Sequence, residues 1–273
     1  VIVGGTLNTG SGACGFIGGG SCNNICSGEV NAVIGGGRNN LVDGDCSSIL
    51  GGLNNCIVNF NSVIAGGCNN TVCGYLSFVG GGQCNIICNA TNWSVIGGGC
   101  CNIILGCVNN TIGGGNNNCI LTYQYGSSNV IAGGNFNLIS GSSSESNNTI
   151  AGGFTNHIIQ GACRSAIGGG CKNKITDDVI VIAGGCSNTG SGACSGILGG
   201  KNNYVNHANS MIIGSDLTSD KACYTFMNNL DVEGTVSGSV FSGSFVGDGS
   251  GLTGISGGGS IDGSGAANKL AIW

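Results

Sequence analysis

An apolar residue followed two places later by a pair of glycines recurs along this chain at intervals of 15 to 19 residues. The apolar positions are Ile2, Ile17, Ile34, Ile49, Ile64, Val79, Ile96, Ile112, Ile131, Ile150, Ile167, Ile182, Ile197 and Ile212. All but the last precede Gly-Gly, as in Gly36-Gly37 and Gly133-Gly134. Six residues beyond each of those thirteen stands an asparagine: Asn8, Asn23, Asn40, Asn55, Asn70, Asn85, Asn102, Asn118, Asn137, Asn156, Asn173, Asn188 and Asn203. In most units another Ile or Val follows two residues later, as at Val42, Ile57, Ile87 and Ile175. A short period kept this long means a solenoid of stacked units.

From the first to the second apolar residue of a unit the distance is eight residues, as from Ile96 to Ile104. The return to the next unit varies, from seven residues (Val42 to Ile49) to eleven (Ile120 to Ile131). Half of the unit is therefore set by packing, and the other half admits insertions in exposed loops. Each unit reads as one coil with two short strands, one around the Ile before Gly-Gly and one at Asn-x-Ile. The expected fold is all-β, a parallel β-solenoid or β-roll of about 14 short coils, roughly 65 Å long at the spacing of neighbouring strands. Ile34, Ile49, Ile64 and Ile96 should stack as one ladder, and Asn40, Asn55, Asn70, Asn85 and Asn102 as another. Asparagine suits the turns because it tolerates left-handed backbone and bonds its own main chain. Stacked turn amides can also bond one another from coil to coil. Glycine pairs suit a tight corner or the close approach of a second backbone.

Composition narrows the reading. Among 273 residues there are 58 glycines, no proline, 7% charged and 5% aromatic residues. Too few large side chains exist for a thick globular core. Two apolar positions per coil bury little by themselves, so association of several chains is expected, with a homotrimer preferred over a self-sufficient single-chain solenoid. A net charge of −5 without any basic cluster gives no footing for nucleic acid. No apolar run is long enough to insert in a membrane as a helix. The solenoid is assigned to residues 1–225. Beyond about Phe226 the period is lost, and residues 226–273 read as a C-terminal β neck and Gly/Ser-rich connector.

Ser62-Val-Ile-Ala-Gly-Gly-Cys-Asn-Asn70 and Ser94-Val-Ile-Gly-Gly-Gly-Cys-Cys-Asn102 resemble the head repeats of trimeric adhesins and of phage or viral tail fibres. Phe245-Val-Gly-Asp-Gly-Ser-Gly-Leu-Thr-Gly-Ile255 is similar to the neck that precedes a self-cleaving C-terminal chaperone domain in many tail-fibre proteins. The closing Ala267-Asn-Lys-Leu-Ala-Ile-Trp273 is similar to sequence near that junction. The resemblance implies a homotrimeric, fibrous protein at a virion surface or outside the cell. The eighteen cysteines depart from the usual run of such repeats.

Those cysteines take particular coil positions. Cys171 and Cys186 directly follow Gly-Gly on adjacent coils, and Cys73 and Cys88 share a later position. A rung spacing near 4.8 Å falls within the Cα separation that a disulfide accepts. Buried thiols acting as small hydrophobes, inter-coil disulfides and inter-chain disulfides all fit this placement. Metal binding is disfavoured, since no C-x-x-C pair occurs and only two histidines, His157 and His207, are present. The glycine runs lack the Gly-Lys-Ser/Thr ending of a phosphate loop. No cofactor and no catalytic constellation is expected.

Phe60, Tyr75, Trp93, Tyr123 and Tyr125 fall in the variable loops, where exposed aromatics can stack on sugars or anchor a protein receptor; packing of loops onto neighbouring coils or chains is the other reading. The expected function is structural: the shaft or receptor-presenting segment of a viral or phage tail fibre, bound to itself and to a host-surface glycan or protein. A cell-surface trimeric adhesin is one alternative, and a monomeric ice- or ligand-binding solenoid another. Ice binding calls for a flat ladder of threonines, and no regular Thr-x-Thr ladder appears.

Overall fold

A computed structural model describes residues 1–88, 92–106, 108–122, 128–141, 146–159 and 161–229. The chain is an all-β parallel solenoid of about 13 turns, without helix among the described residues. Each coil contributes two strands of two to four residues. One set, such as Val33–Ile34 and Val95–Ile96, forms a 14-stranded parallel sheet. The other, such as Leu41–Val42 and Ile103–Leu105, forms a 13-stranded sheet. In both sheets every strand pairs with its counterpart one coil away, so Ile stands on Ile: Ile34 on Ile49, Ile49 on Ile64, Ile104 on Ile120.

This register follows from the pattern. Alternate residues of a strand point to opposite faces, so one buried residue per strand fixes which neighbour it meets. The buried residues form two facing columns, one running from Ile17 through Ile96 to Ile212, the other from Ile25 through Ile104 to Val205. Nearly all of them are wholly inaccessible to solvent. Successive coils keep these columns aligned although the step from coil to coil ranges from 15 to 19 residues, because the extra residues enter on the return path.

Between the sheets the chain turns two corners. At the first, the second glycine of each pair is left-handed: Gly37 (φ 89°), Gly67 (φ 88°) and Gly99 (φ 88°) are representative. A Cβ on Gly99 would collide with the carbonyl oxygen of Gly115 on the next coil, so only glycine fits. The first glycine of the pair differs. At Gly36, Gly66, Gly98 and Gly133 a Cβ would meet nothing within 4 Å.

The asparagines were expected to occupy left-handed turns themselves. The left-handed residue is instead the one before, as at Asn39 (φ 55°), Asn54 (φ 55°), Cys101 (φ 58°) and Phe136 (φ 56°). The recurring asparagine that follows lies inside the coil: Asn40, Asn55, Asn70, Asn85 and Asn102 are all buried. A backbone that reverses direction leaves carbonyls pointing inward, and a side-chain amide can satisfy them.

The coils occupy Val1–Asn229. The last strand, Thr225–Met227, still pairs with Met211–Ile213. From Leu230 onward the segment expected to form a neck lies outside the described residues, as does its Gly-Asp-Gly-Ser-Gly motif.

Candidate functional site

The second corner gathers the aromatic residues. Phe60 and Tyr75 sit at equivalent places on successive coils, with ring centroids 5.6 Å apart and planes at 65°. This edge-to-face arrangement sets the positive edge of one ring against the negative face of the other. The backbone is tied beneath them: the Leu76 amide donates to the Phe60 carbonyl (3.2 Å), and the Trp93 amide donates to the Tyr75 carbonyl (3.1 Å). Trp93 thus stands one coil beyond Tyr75. Phe60 and Tyr75 are each 41% exposed, Leu76 47% and Trp93 55%. Leu76 (φ 50°) and Trp93 (φ 53°) both hold left-handed backbone, at a corner where Asn31, Asn61 and Asn109 stand on other coils. A bulky side chain there costs about 1–2 kcal/mol. Beside Trp93, Asn92 pairs with Tyr75 across coils, and its buried Oδ1 finds no hydrogen-bond partner among the described residues. Aromatic faces and an aliphatic side chain therefore meet on one edge of three consecutive coils. Tyr123 and Tyr125 lie outside the described residues.

A smaller aromatic group occupies the first corner. Phe136 and Phe154 meet edge to face at 6.1 Å, and Asn135, whose buried Oδ1 also lacks a partner among the described residues, pairs with Phe154 across coils. The sequence marks this group only weakly, because Phe136 and Phe154 take different places in the repeat.

The cysteines form several distinct sets. Cys73 and Cys88 are joined as a disulfide between adjacent coils, with Cα atoms 4.6 Å apart. Cys171 and Cys186 are in-register neighbours on adjacent coils and remain thiols. The neighbouring Cys171 thiol, then Ser187, hold the Cys186 thiol below the ordinary value, while the neighbouring Cys186, then burial, push Cys171 up. Cys100 and Cys101 bring their sulfurs within 3.2 Å, and that contact, with burial and nearby Cys84, pushes Cys101 up to about 11. Burial alone pushes Cys119 up to about 11. No group of three or more His, Cys, Asp or Glu side chains capable of holding a metal occurs among the described residues.

The asparagine ladder is a hydrogen-bonded column. Asn102 Nδ2 donates to the carbonyls of Gly98 (3.0 Å) in its own coil and Gly115 (3.0 Å) in the next. Its Oδ1 accepts the Asn118 backbone amide at 3.0 Å. The same three bonds recur at Asn40, Asn55, Asn70 and Asn85. A second buried polar column lines the opposite corner and was not anticipated. It runs through Ser47, Ser62, Ser77 and Ser94, then Asn110, Asn129 and Asn148, then Ser165. Each Ser47-type hydroxyl accepts the amide of its successor, as Ser47 Oγ does from Ser62 at 3.1 Å. The signal was present two residues before most of the first-column residues, but alternation between Ser and Asn, with Ala32 and Ile180 as exceptions, hid it.

No protein-family model matches the chain, and no curated protein matches it in sequence.

Proposed function

We propose that this chain is a stiff, non-enzymatic fibre segment that presents a receptor-binding corner, the shaft or receptor-presenting part of a viral or phage tail fibre acting outside the cell. The observation that carries the reading is the aromatic edge: Phe60, Tyr75 and Trp93 stand exposed on three successive coils of a rigid ladder. Exposed aromatic faces suit a host-surface glycan, which offers apolar ring faces for stacking.

Self-association into a trimer belongs to the same proposal. The outward face of the first sheet carries Phe16, Leu50, Phe78, Val181, Leu198 and Met211, all exposed. Beside them run the first glycines of each pair, which no packing inside the coil requires. Bare backbone next to an apolar face allows a second chain to approach closely. A native mass near three times 26.7 kDa supports this arrangement, and a clean monomer overturns it. Binding of the chain to a panel of immobilised host glycans, lost in Trp93→Ala and Tyr75→Ala with unchanged melting, supports the receptor reading. Equal binding by wild type and both variants overturns it. Location of the chain on purified virions, rather than on a cell envelope, separates a tail fibre from a trimeric adhesin.

A further inference from the structure

Cys171 and Cys186 are 15 positions apart, the same separation that joins Cys73 to Cys88. Both pairs stack in register on adjacent coils, and the Cys73–Cys88 bond spans a Cα separation of 4.6 Å without disturbing the ladder around it. Three backbone hydrogen bonds fix the Cys171–Cys186 rung: Cys171 donates to Gly185 (2.9 Å), Cys186 to Gly200 (2.9 Å), and Ser187 to the Cys171 carbonyl (2.8 Å). The two thiols face the same way on the outer edge of the corner, with Lys172 beside them and the Ser187 hydroxyl 3.6 Å from the Cys186 sulfur.

We propose that Cys171 and Cys186 form a redox-active surface dithiol, closed to a cross-coil disulfide by exchange with a small-molecule disulfide such as oxidised glutathione. Cys186 is the attacking group. Its thiolate is favoured by the neighbouring Cys171 thiol, by the Ser187 hydroxyl and by the Lys172 charge, and a thiolate so placed reacts where a buried thiol does not. Attack on one sulfur of the small disulfide breaks its S–S bond, forms a mixed disulfide at Cys186 and releases one small thiolate. Cys171 then loses its proton to solvent, attacks the Cys186 sulfur, forms the Cys171–Cys186 bond and expels the second small thiolate. Two protein thiols are oxidised and one small disulfide is reduced to two thiols.

The test uses the full chain, reduced, freed of reductant and exposed to oxidised glutathione. Remaining thiols are then alkylated and the tryptic fragments sequenced by mass spectrometry. Cleavage after Arg164, Lys172, Lys174 and Lys201 places Cys171 on fragment 165–172 and Cys186 on fragment 175–201. The expected product is these two fragments joined and lighter by two hydrogens, with the bond at Cys186 rather than Cys194. In Cys171→Ala the reaction stops with glutathione on Cys186. Alkylation of both cysteines in the treated wild type overturns the proposal. So does stable glutathione on wild-type Cys186, or a bond from either cysteine to a second chain.

Discussion

Gly99 holds φ at 88° with the Gly115 carbonyl where a side chain would stand, whereas Gly98 faces open space. Gly99→Ala should therefore lower stability by about 2–4 kcal/mol, combining backbone strain with overpacking. Gly98→Ala should leave the melting temperature of the isolated chain unchanged. In the sequence the two residues read as one motif, since a one-letter pattern carries neither φ nor the position of the next coil. Asn102 is the converse case: its place was legible from the spacing, but its burial was not. Asn102→Ala strands the Asn118 amide and the Gly98 carbonyl, while Gly115 keeps its bond from the Cys100 amide, and should cost about 3 kcal/mol in chemical denaturation. His157 stacks on Lys174, and burial, then that charge, lowers its pKa from 6.5. The folded chain therefore binds this proton less readily than the unfolded chain. Stability is undiminished above the unfolded value and falls as pH drops through 6.5. His157→Gln should shrink the difference in melting temperature between pH 8 and pH 5, and an unchanged difference would sink this assignment.

Among the strands, the coil at Ile182 shows how far the repeat can bend. Gly190 takes the place of the second-column Ile, and Ile180 takes the place of the buried Ser found at Ser165 and Ser195. The two departures compensate: a Cβ on Gly190 would meet Ile180 Cγ2 at 2.6 Å. Gly190→Val should therefore destabilise by overpacking, and Ile180→Ser by opening a cavity, each by roughly 1–3 kcal/mol. The double variant should recover most of the loss, measured as a coupling energy in a double-mutant cycle. Strands, columns and register were legible because isoleucine at a fixed eight-residue distance admits one alignment. The serine column was not, because hydroxyl and amide can each cap the same amide of the next coil, so no single residue type recurs.

For the molecule as a whole, what carries stability and what carries recognition lie on different parts of the coil. Ladders and columns fill the interior, while the two left-handed corners accept Asn, Cys, Lys, Leu or Trp alike. Surface chemistry can thus vary with little cost to the rod, which is why the sequence named candidate aromatics but not their grouping on one edge. Trp93→Asn should relieve left-handed strain and raise stability by about 0.5–1 kcal/mol while weakening glycan binding. Equal or lower stability together with intact binding would remove Trp93 from the site.

The asparagine column also has a direction. Each Oδ1 accepts an amide from the coil that follows: Asn23 from Asn40, Asn102 from Asn118, Asn188 from Asn203. The two ends of the rod are consequently unlike. A cut on the carboxyl side of Asn102 leaves its Oδ1 and one Nδ2 hydrogen without the partners built for them, while a cut on the amino side of Asn118 uncovers that residue's backbone N–H and the Gly115 carbonyl. Each rung thus presents to the following one an oxygen already placed for its amide, and the rod has a head and a tail even though its coils repeat.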